Sequence, residues 1–329
     1  MRSDKRMDQA EGLRRLLVPN KTRMVTLLSG KTGVGRTSTT INLAAAMAQL
    51  GKEVLVLDEI QAPDNIPETL GLHARYDLLD IAQQKCSYHD AVLNTHGFSV
   101  LHAARAMNFL SQMSHTEQQR VEKALAEAIS SADVLLVEAA MPVLMKSHDI
   151  RQCYQETMAR VLASRENGIV RQAPAGFAYG TSMLVVMDAT TSGITDSYAL
   201  IKKLATESAC LQFGIVVNKI ADARAAKIVF DNMAKVAWHK LSVRLEFVGC
   251  IPRDERLKQA SSRGRAVGET YPASISAKSF LNMAHGLLHL PLHREQAGGG
   301  VRPALPGLLG PTSQPALQHG KNVAHAVNF

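Results

Sequence analysis

Short apolar runs alternate with longer segments of helical periodicity over most of this chain. The runs have the length and the branched apolar content of buried strands, and the longer segments repeat apolar residues every three or four positions. The alternation predicts a mostly parallel, twisted sheet of about seven or eight strands, covered by helices on both faces. The predicted strands are residues 24–29, 53–58, 98–102, 133–138, 183–188, 213–218 and 246–250, and the predicted helices are residues 42–50, 116–130, 151–164, 194–207, 223–241 and 277–290.

The two ends of the chain differ from this middle part. The start is polar and basic, and its apolar residues have the spacing of one short helix, at Ala10, Leu13, Leu16 and Leu17. The end is rich in glycine and proline, a composition typical of disorder. The sequence therefore predicts three regions, which are an N-terminal basic helix (1–20), an α/β domain (21–295) and a disordered tail (296–329).

Composition and charge exclude some classes of protein without selecting one. Of 329 residues, 46% are hydrophobic and 20% are charged, which excludes wholesale disorder. The net charge of +8 is compatible with nucleic acid, acidic lipid or an acidic protein as a partner. No apolar run reaches the roughly 20 residues of a membrane span. The charged residues 1–6 predict no signal peptide, and four widely spaced cysteines indicate reduced thiols, so we expect a cytoplasmic protein.

A glycine-rich loop between the first predicted strand and the next helix carries the strongest chemical signal. Glycines let backbone N–H groups approach phosphate oxygens, and the N-terminal end of the following helix adds positive potential. Near the end of the loop, Thr37 places a hydroxyl where a Mg²⁺ ion bound to the phosphates would lie. The predicted phosphate-binding residues are Gly30, Lys31, Thr32, Gly33, Val34, Gly35, Arg36, Thr37 and Ser38.

Two segments, SGKTGVGRTSTTINLAAAMA and GKEVLVLDEI, resemble the deviant Walker A motif and the second strand of the ParA/MinD family of P-loop ATPases. The resemblance extends over residues 24–267. It implies a P-loop NTPase fold with ATP and Mg²⁺ as cofactors. It also implies a homodimer that forms around ATP, in which Lys31 reaches the phosphates bound to the partner subunit.

The same resemblance assigns roles to residues outside the loop. Asn218, in the segment FGIVVNK, matches the asparagine that recognises adenine, and Pro252, in VGCIPRD, lies where backbone groups border the base. The resemblance places Lys31, Asp58 and Glu138 at the catalytic centre, and Thr37 and Glu138 near the metal.

Other segments are similar to one branch of the family, the flagellar-number regulators of the FlhG/FleN type. These are SGITDSYALIKKL, the helix ARAAKIVFDNMAKVA, FVGCIPRDERLKQASSRGRAV and the N-terminal DQAEGLR. The N-terminal element implies an FlhF-like GTPase as a partner, and the domain surface implies a flagellar transcription activator or basal-body component. Without the resemblance, this element is a short docking helix that needs a surface to be stable. The implied GTPase-binding residues are Asp8, Gln9, Ala10, Leu13 and Arg14.

The sequence also departs from the family pattern at three positions of the site. Arg36 replaces the usual lysine of the loop, and its planar fork has a different shape from a compact ammonium. Ile60 replaces an acidic residue that supports the attacking water, and we expect the adjacent Glu59 to point away. Glu138 replaces an aspartate, which moves the carboxylate one methylene outward and weakens Mg²⁺ coordination. The segment Ala139-Ala140-Met141-Pro142 then replaces a glycine-containing segment whose N–H senses the γ-phosphate.

These departures predict that nucleotide binding outlasts hydrolysis. Each lost preorganised group costs about 10²–10³ in rate, whereas ground-state binding draws on many backbone N–H groups. The leading hypothesis is therefore an ATP-binding flagellar regulator with weak or absent hydrolysis. The opposing possibility is that Arg36 and Glu138 are tolerated in a working ATPase.

Two alternative functions stay open. One is an active MinD-like ATPase that cycles between a monomer and a dimer at the inner face of the cell membrane, for which the amphipathic residues 280–288 are a candidate. Their low charge favours packing against the sheet instead. The other is a ParA-like DNA partition ATPase that uses the basic cluster of Lys258, Arg263 and Arg265, although a solvated surface is the simpler explanation of that cluster.

Overall fold

A computed structural model describes most of the predicted α/β domain. The described residues are 22–140, 156–158, 160–161, 181–208 and 210–289. Some predictions lie outside them, namely the N-terminal helix with its GTPase-binding residues, the tail from 296 and most of the helix at 151–164. The described residues of that last segment, 156–158 and 160–161, are helical.

The described residues form eight strands and the helices that connect them. The strands are β1 (Arg23–Leu28), β2 (Val54–Asp58), β3 (Val92–Asn94), β4 (Ser99–His102), β5 (Val134–Glu138), β6 (Thr181–Asp188), β7 (Gln212–Ile220) and β8 (Arg244–Pro252). The helices are α1 (Arg36–Gln49), α2 (Ile66–Leu70), α3 (Leu78–Ala82), α4 (Tyr88–Ala91), α5 (Ala104–Phe109), α6 (His115–Ser130), α7 (Thr191–Ser208), α8 (Ala223–Leu241), α9 (Glu255–Ser261), α10 (Val267–Thr270) and α11 (Ile275–His289).

The strands make one sheet in the order β3-β4-β2-β5-β1-β6-β7-β8. All neighbours pair in parallel except β3 and β4, which form an antiparallel edge hairpin. The sequence predicts the mostly parallel sheet correctly but misses β3, because three residues are too short to show a strand periodicity.

Helices cover both faces of the sheet, as the alternation of elements predicts. In β2, Leu55 and Leu57 belong to one core, and Val54 and Val56 belong to the other. Helices α6 and α8 pack on the first face, and α1 and α11 pack on the second. Because the strands are buried on both sides, they have continuous apolar sequences rather than alternating ones.

Helix α1 begins six residues earlier than the sequence predicts, at Arg36 instead of residue 42. The first turns contain several Thr and Ser residues, which have low helix propensity and hide the helical pattern. In the structure, the hydroxyl of Thr39 donates to the carbonyl of Gly35 at 2.7 Å, and that of Thr40 donates to the carbonyl of Arg36 at 3.1 Å. These bonds satisfy buried hydroxyls within the helix itself, so the glycine loop leads directly into α1.

The last helix packs against the domain, as its low charge predicts. Phe280 and Met283 of α11 are buried and this helix packs against α1 and β8, whereas Leu281 is 37% exposed. A Cβ at Gly249 of β8 would overlap the side chain of Met283, so this glycine allows α11 to lie close to the sheet. In the part of the chain that the structure describes, no helix has both the length and the hydropathy needed to cross a membrane.

Three of the four cysteines lie in the described part of the chain, and all three are free thiols. Burial raises the pKa of Cys86, Cys210 and Cys250, which keeps these thiols protonated and unreactive. Cys153 lies outside the described residues.

Candidate nucleotide-binding site

The glycine loop leaves β1 at the carboxyl edge of the sheet and ends at the first turn of α1. Gly33 and Gly35 have φ angles of +76° and +92°, a left-handed conformation that residues with a Cβ rarely adopt. Gly35 is the N-cap of α1, and no side chain caps the first turn. The amides at the start of α1 therefore face the loop without a side-chain acceptor, which is the arrangement that binds an anion.

Gly30 lets α7 approach the start of the loop. A Cβ at this position would overlap the backbone carbonyl of Asp196 and lie 2.5 Å from the amide nitrogen of Ser197. Backbone atoms cannot move aside as the end of a flexible side chain does. The loop is therefore wedged between α1 and α7, and its conformation depends on a residue without a side chain.

We expect Gly30→Ala to lower the free energy of unfolding by about 1–3 kcal/mol, the usual range for overpacking a close contact. Gly286→Ala is the matched control, because a Cβ there meets nothing within 4 Å. That substitution lies inside α11 and is expected to raise the free energy of unfolding by about 1 kcal/mol, since alanine has a higher helix propensity than glycine. Urea denaturation measures both changes, and equal midpoints for the two variants would contradict the close packing of Gly30.

The end of β7 holds the outer side of the loop. The amide of Asn218 is buried and donates to the carbonyl of Val34 at 2.8 Å, and the ammonium of Lys219 donates to the carbonyl of Gly33 at 2.6 Å. Asn218, the predicted adenine-binding residue, therefore lies directly beside the phosphate loop.

Two residues near the predicted base position were missed by the sequence interpretation. Lys219 has a φ of +56°, which is uncommon for a residue with a side chain. Arg253 donates from its side chain to the carbonyl of Lys219 at 2.9 Å, next to Pro252 at the end of β8. The sequence offers one signal for Lys219 and Arg253, which is their position directly after the predicted site residues Asn218 and Pro252.

Lys31 turns back towards its own chain in this structure. Its Nζ lies 2.8 Å from the hydroxyl of Ser192, 3.3 Å from that of Thr190 and 3.7 Å from the carboxylate of Asp188. Burial alone would raise the pKa of Asp188, but hydrogen bonds from Thr190 and the charge of Lys31 hold it below its usual range. An intersubunit contact by Lys31 therefore requires it to leave these partners.

Arg36, at the start of α1, contacts Glu138 at the end of β5. Its Nε lies 3.0 Å from Oε1 of Glu138, and its Nη1 donates to the carbonyl of Ala139 at 3.2 Å. The hydroxyl of Thr37 donates to the same Oε1 at 2.6 Å. The side chain of Glu138 is fully buried. The structure thus brings together the three predicted residues at the start of α1 and the end of β5, and joins them in one hydrogen-bonded group.

Asp58 lies beside Glu138 in the sheet, but both of its oxygens hold the backbone after β2. Oδ1 accepts from the amide of Ile60 at 3.0 Å, and Oδ2 accepts from that of Ile66 at 2.9 Å. His102 adds a contact at 3.4 Å. The carboxylate of Asp58 therefore orders residues 58–66, and the side chain of Ile60 supplies no acceptor for a water.

Glu59 does not point away from the site, contrary to the sequence-based expectation. It is fully buried, and its Oε2 accepts from the amide of Ala140 at 3.3 Å. The amide of Ala139 donates to the carbonyl of Leu27 at 3.2 Å. Both N–H groups that follow Glu138 therefore already have acceptors within the protein.

Burial raises the pKa of Glu138 to about 7. The positive charge of Arg36 opposes this shift, whereas the negative charge of Asp58 adds to it. Near neutral pH, a buried carboxyl group of this site is consequently close to its titration midpoint.

Stability is expected to fall as the pH rises from 4.5 to about 7. In that interval the folded protein keeps the proton of Glu138, whereas the unfolded chain releases it. The stabilisation that comes from the raised pKa is therefore complete below pH 4.5 and lost above about pH 7. Its size is at most about 3 kcal/mol. Glu138→Gln cannot titrate, so the difference in unfolding free energy between the two proteins, followed by urea denaturation across this interval, isolates the effect. A constant difference would contradict the raised pKa.

The site fits a phosphate chain better than it fits Mg²⁺. The predicted metal residues Thr37 and Glu138 lie side by side, but Oε1 of Glu138 already accepts from both Thr37 and Arg36. The guanidinium of Arg36 therefore already binds the carboxylate oxygen that a divalent ion would need as a ligand. This arrangement does not fit the metal. The described residues also contain no group of three or more His, Cys, Asp or Glu side chains placed to hold a metal ion.

This combination of a parallel sheet, a left-handed glycine loop and an uncapped helix start defines a P-loop nucleotide-binding domain. The chain belongs to the CobQ/CobB/MinD/ParA nucleotide binding domain family, whose sequence profile matches residues 25–267. This match confirms the resemblance to the ParA/MinD family. Its range is nearly the same as residues 24–267, over which the sequence resembles that family.

Several individual proteins are similar to this chain in sequence or in structure. Antiactivator FleN of Pseudomonas aeruginosa is 28% identical over 277 residues, which cover 84% of this chain and 90% of FleN. MinD in the MinC:MinD cell division complex of Aquifex aeolicus aligns with a TM-score of 0.54 and 21% identity, over 83% of this chain and 99% of its own. MinD of Pyrococcus horikoshii, complexed with Mg-ADP, aligns with a TM-score of 0.52 and 18% identity, over 82% and 97%. The two structures share the fold of this chain.

Proposed function

We propose that this chain is a cytoplasmic ATP-binding regulator of flagellar number and placement, and that it hydrolyses ATP weakly or not at all. The observation that carries the proposal is the similarity to FleN over most of both chains. The intact glycine loop supports the nucleotide-binding part, because backbone amides form its cradle and do not depend on the altered side chains.

Three features of the site support weak hydrolysis. Ile60 offers no acceptor for the attacking water, and the amides of Ala139 and Ala140 are engaged elsewhere. Arg36 is bonded to Glu138. Because phosphoryl transfer depends on positioning and on charge stabilisation, losses of this kind reduce the rate more than the affinity.

The proposal assigns roles to the predicted phosphate-binding, base-binding and intersubunit residues. Residues 30–38 bind the phosphates, Asn218 and Pro252 border the adenine, and Lys31 reaches the nucleotide of a second copy in an ATP-dependent homodimer. In its favour, the hydrogen bonds of Lys31 to Thr190 and Ser192 are exposed, and its ion pair with Asp188 is long at 3.7 Å, so these contacts cost little to break.

Titration of the full chain with ATP and with ADP, together with a mass measurement, tests nucleotide binding and dimer formation. Saturable binding of ATP with little phosphate release, and a mass that doubles with ATP, are the expected results. Absence of binding heat with either nucleotide at a millimolar concentration would refute the nucleotide-binding function.

The partner proposal concerns the N-terminal element outside the described residues. We propose that Asp8, Gln9, Ala10, Leu13 and Arg14 bind an FlhF-like GTPase, and that the domain surface binds a flagellar transcription activator or basal-body component. A peptide of residues 1–20 is expected to raise GTP turnover by the purified GTPase, and a peptide with Leu13→Asp is the control. Equal turnover with and without saturating native peptide would remove this assignment.

The second candidate is an active MinD-like ATPase switch, favoured by the retention of Lys31 and by the MinD fold. Phosphate release that is abolished by Lys31→Ala would establish it and refute the proposal of weak hydrolysis. Binding to anionic vesicles only in the presence of ATP would add the membrane step.

DNA partition has less support. Each basic residue of the predicted cluster has a partner on the surface: Lys258 pairs with Glu255 at 3.0 Å, Arg265 pairs with Glu269 at 3.7 Å, and Arg263 donates to the hydroxyl of Tyr271. Salt-sensitive binding of arbitrary duplex DNA, lost on replacing Arg263 and Arg265 by alanine, would favour this function instead.

A further inference from the structure

We propose that the guanidinium of Arg36 takes the place of the divalent cation, so that this site binds the phosphates of ATP or ADP without Mg²⁺. The inference rests on the proposed nucleotide-binding function and specifies its cofactor requirement. It starts from an ion pair between two residues that are 102 positions apart and that both differ from the family pattern.

Three hydrogen bonds fix the position of Arg36. Nε bonds to Oε1 of Glu138 at 3.0 Å, and Nη1 bonds to the carbonyl of Ala139 at 3.2 Å and to the hydroxyl of Ser29 at 3.4 Å. The side chain is only 16% exposed. A planar guanidinium with acceptors on two of its nitrogens cannot rotate without losing several bonds together.

Nη2, the remaining nitrogen of Arg36, makes the guanidinium suitable as a bridge between Glu138 and a phosphate. Among the described residues, none accepts a hydrogen bond from Nη2 of Arg36, and the residue itself is the first of α1. Guanidinium groups bind phosphate and carboxylate oxygens with parallel N–H donors. In the proposed complex, Nε of Arg36 keeps its bond to Glu138 while Nη2 donates to a phosphate oxygen, so one side chain connects the carboxylate of β5 to the nucleotide.

The cost of displacing Arg36 disfavours Mg²⁺ at the same place. Glu138 is fully buried, and within the described residues its Oε2 has no hydrogen-bond partner, so Oε1 carries the polar contacts of this carboxylate there. A buried carboxylate that loses its cationic partner is strongly destabilised. Mg²⁺ also demands near-octahedral oxygen ligands and gives up water reluctantly, whereas Thr37 already donates its hydroxyl to Glu138.

The side-chain lengths are matched to this arrangement. Glutamate extends one methylene further than the aspartate of the family pattern, and arginine presents a broader donor surface than lysine. The longer acid and the planar base meet at 3.0 Å. The two substitutions thus act as one change, in which the longer acid holds a guanidinium that has a further nitrogen for the phosphate, where lysine has a single ammonium.

Calorimetric titration of the full chain with ATP and with ADP, in Mg²⁺ and in EDTA, tests the inference. We expect the Kd of the native protein to differ by less than about threefold between the two conditions. The matched control is Arg36→Lys combined with Glu138→Asp, which restores the residue pair of the family. For this variant we expect Mg²⁺ to tighten binding by about tenfold or more.

A second measurement uses the native protein only and does not depend on the variant folding. Mn²⁺ serves as a paramagnetic probe, and its enhancement of water proton relaxation reports ion held by the protein in the presence of ADP. We expect no enhancement beyond that of Mn²⁺ and ADP without protein.

The outcomes separate this inference from the function on which it rests. Tight binding in Mg²⁺ that weakens tenfold or more in EDTA would overturn the inference and leave nucleotide binding intact. Mn²⁺ held by the protein–ADP complex would do the same. Absence of binding in both buffers would overturn the nucleotide-binding function, and the inference with it.

Discussion

Arg36→Met is expected to lower the free energy of unfolding by about 3–5 kcal/mol in mildly alkaline buffer, because it leaves the buried carboxylate of Glu138 without its cationic partner. Part of this loss should be recovered in mildly acidic buffer, where Glu138 takes up a proton and loses its charge. Urea denaturation at the two pH values measures both effects.

A double variant provides the control for this prediction. Arg36→Met with Glu138→Leu replaces the ion pair by apolar side chains of similar size, and such replacements are often neutral or stabilising. We therefore expect the double variant to regain most of the stability that the single variant loses. If Arg36→Met alone is as stable as the native protein, the ion pair is absent from the folded state in solution, and the inference of a built-in cation loses its basis.

The substitution Phe280→Ala is expected to destabilise the protein by about 3–5 kcal/mol, the usual cost of truncating a buried phenylalanine. Phe280 is 1% exposed and packs in the core between the sheet, α1 and α11. Leu281→Ala is the neighbouring control, because this side chain is 37% exposed, and we expect a change within about 0.5 kcal/mol. Thermal or urea denaturation compares the two variants.

This pair of variants also separates packing from membrane contact by α11. If the apolar face of α11 binds a bilayer instead of the domain, Phe280→Ala should leave stability unchanged and reduce binding to anionic vesicles. The packed arrangement predicts the opposite result, which is lower stability without a change in vesicle binding.

Most of the sheet was predictable because its strands are buried on both faces. Continuous apolar runs such as Val134–Glu138 differ visibly from the helices around them. The prediction failed where the local signal was weak: β3 has only three residues, and the first turn of α1 carries hydroxyl side chains. In both places the tertiary structure supplies what the local sequence lacks, through pairing with β4 and through hydrogen bonds along α1.

The position of the glycine loop between β1 and α1 was predictable from the sequence, whereas the contacts of the groups around it were not. The glycine spacing indicated residues 30–38, because backbone conformation is a local property. The position of Glu59 against Ala140 and the bond from Lys219 to the loop were not foreseen. Each joins residues that are far apart in the chain, and no sequence periodicity reports such a contact.

By itself, the sequence determined the layered α/β architecture and the phosphate-binding turn, because burial pattern and glycine conformation act over a few neighbouring residues. Only the tertiary structure decided the partners of the charged side chains. The order of strands places β1 between β5 and β6, so that Arg36 meets Glu138 and Lys31 meets Ser192 across more than a hundred residues of chain. Charge pairing depends on distance in space, and in this protein the sheet sets that distance.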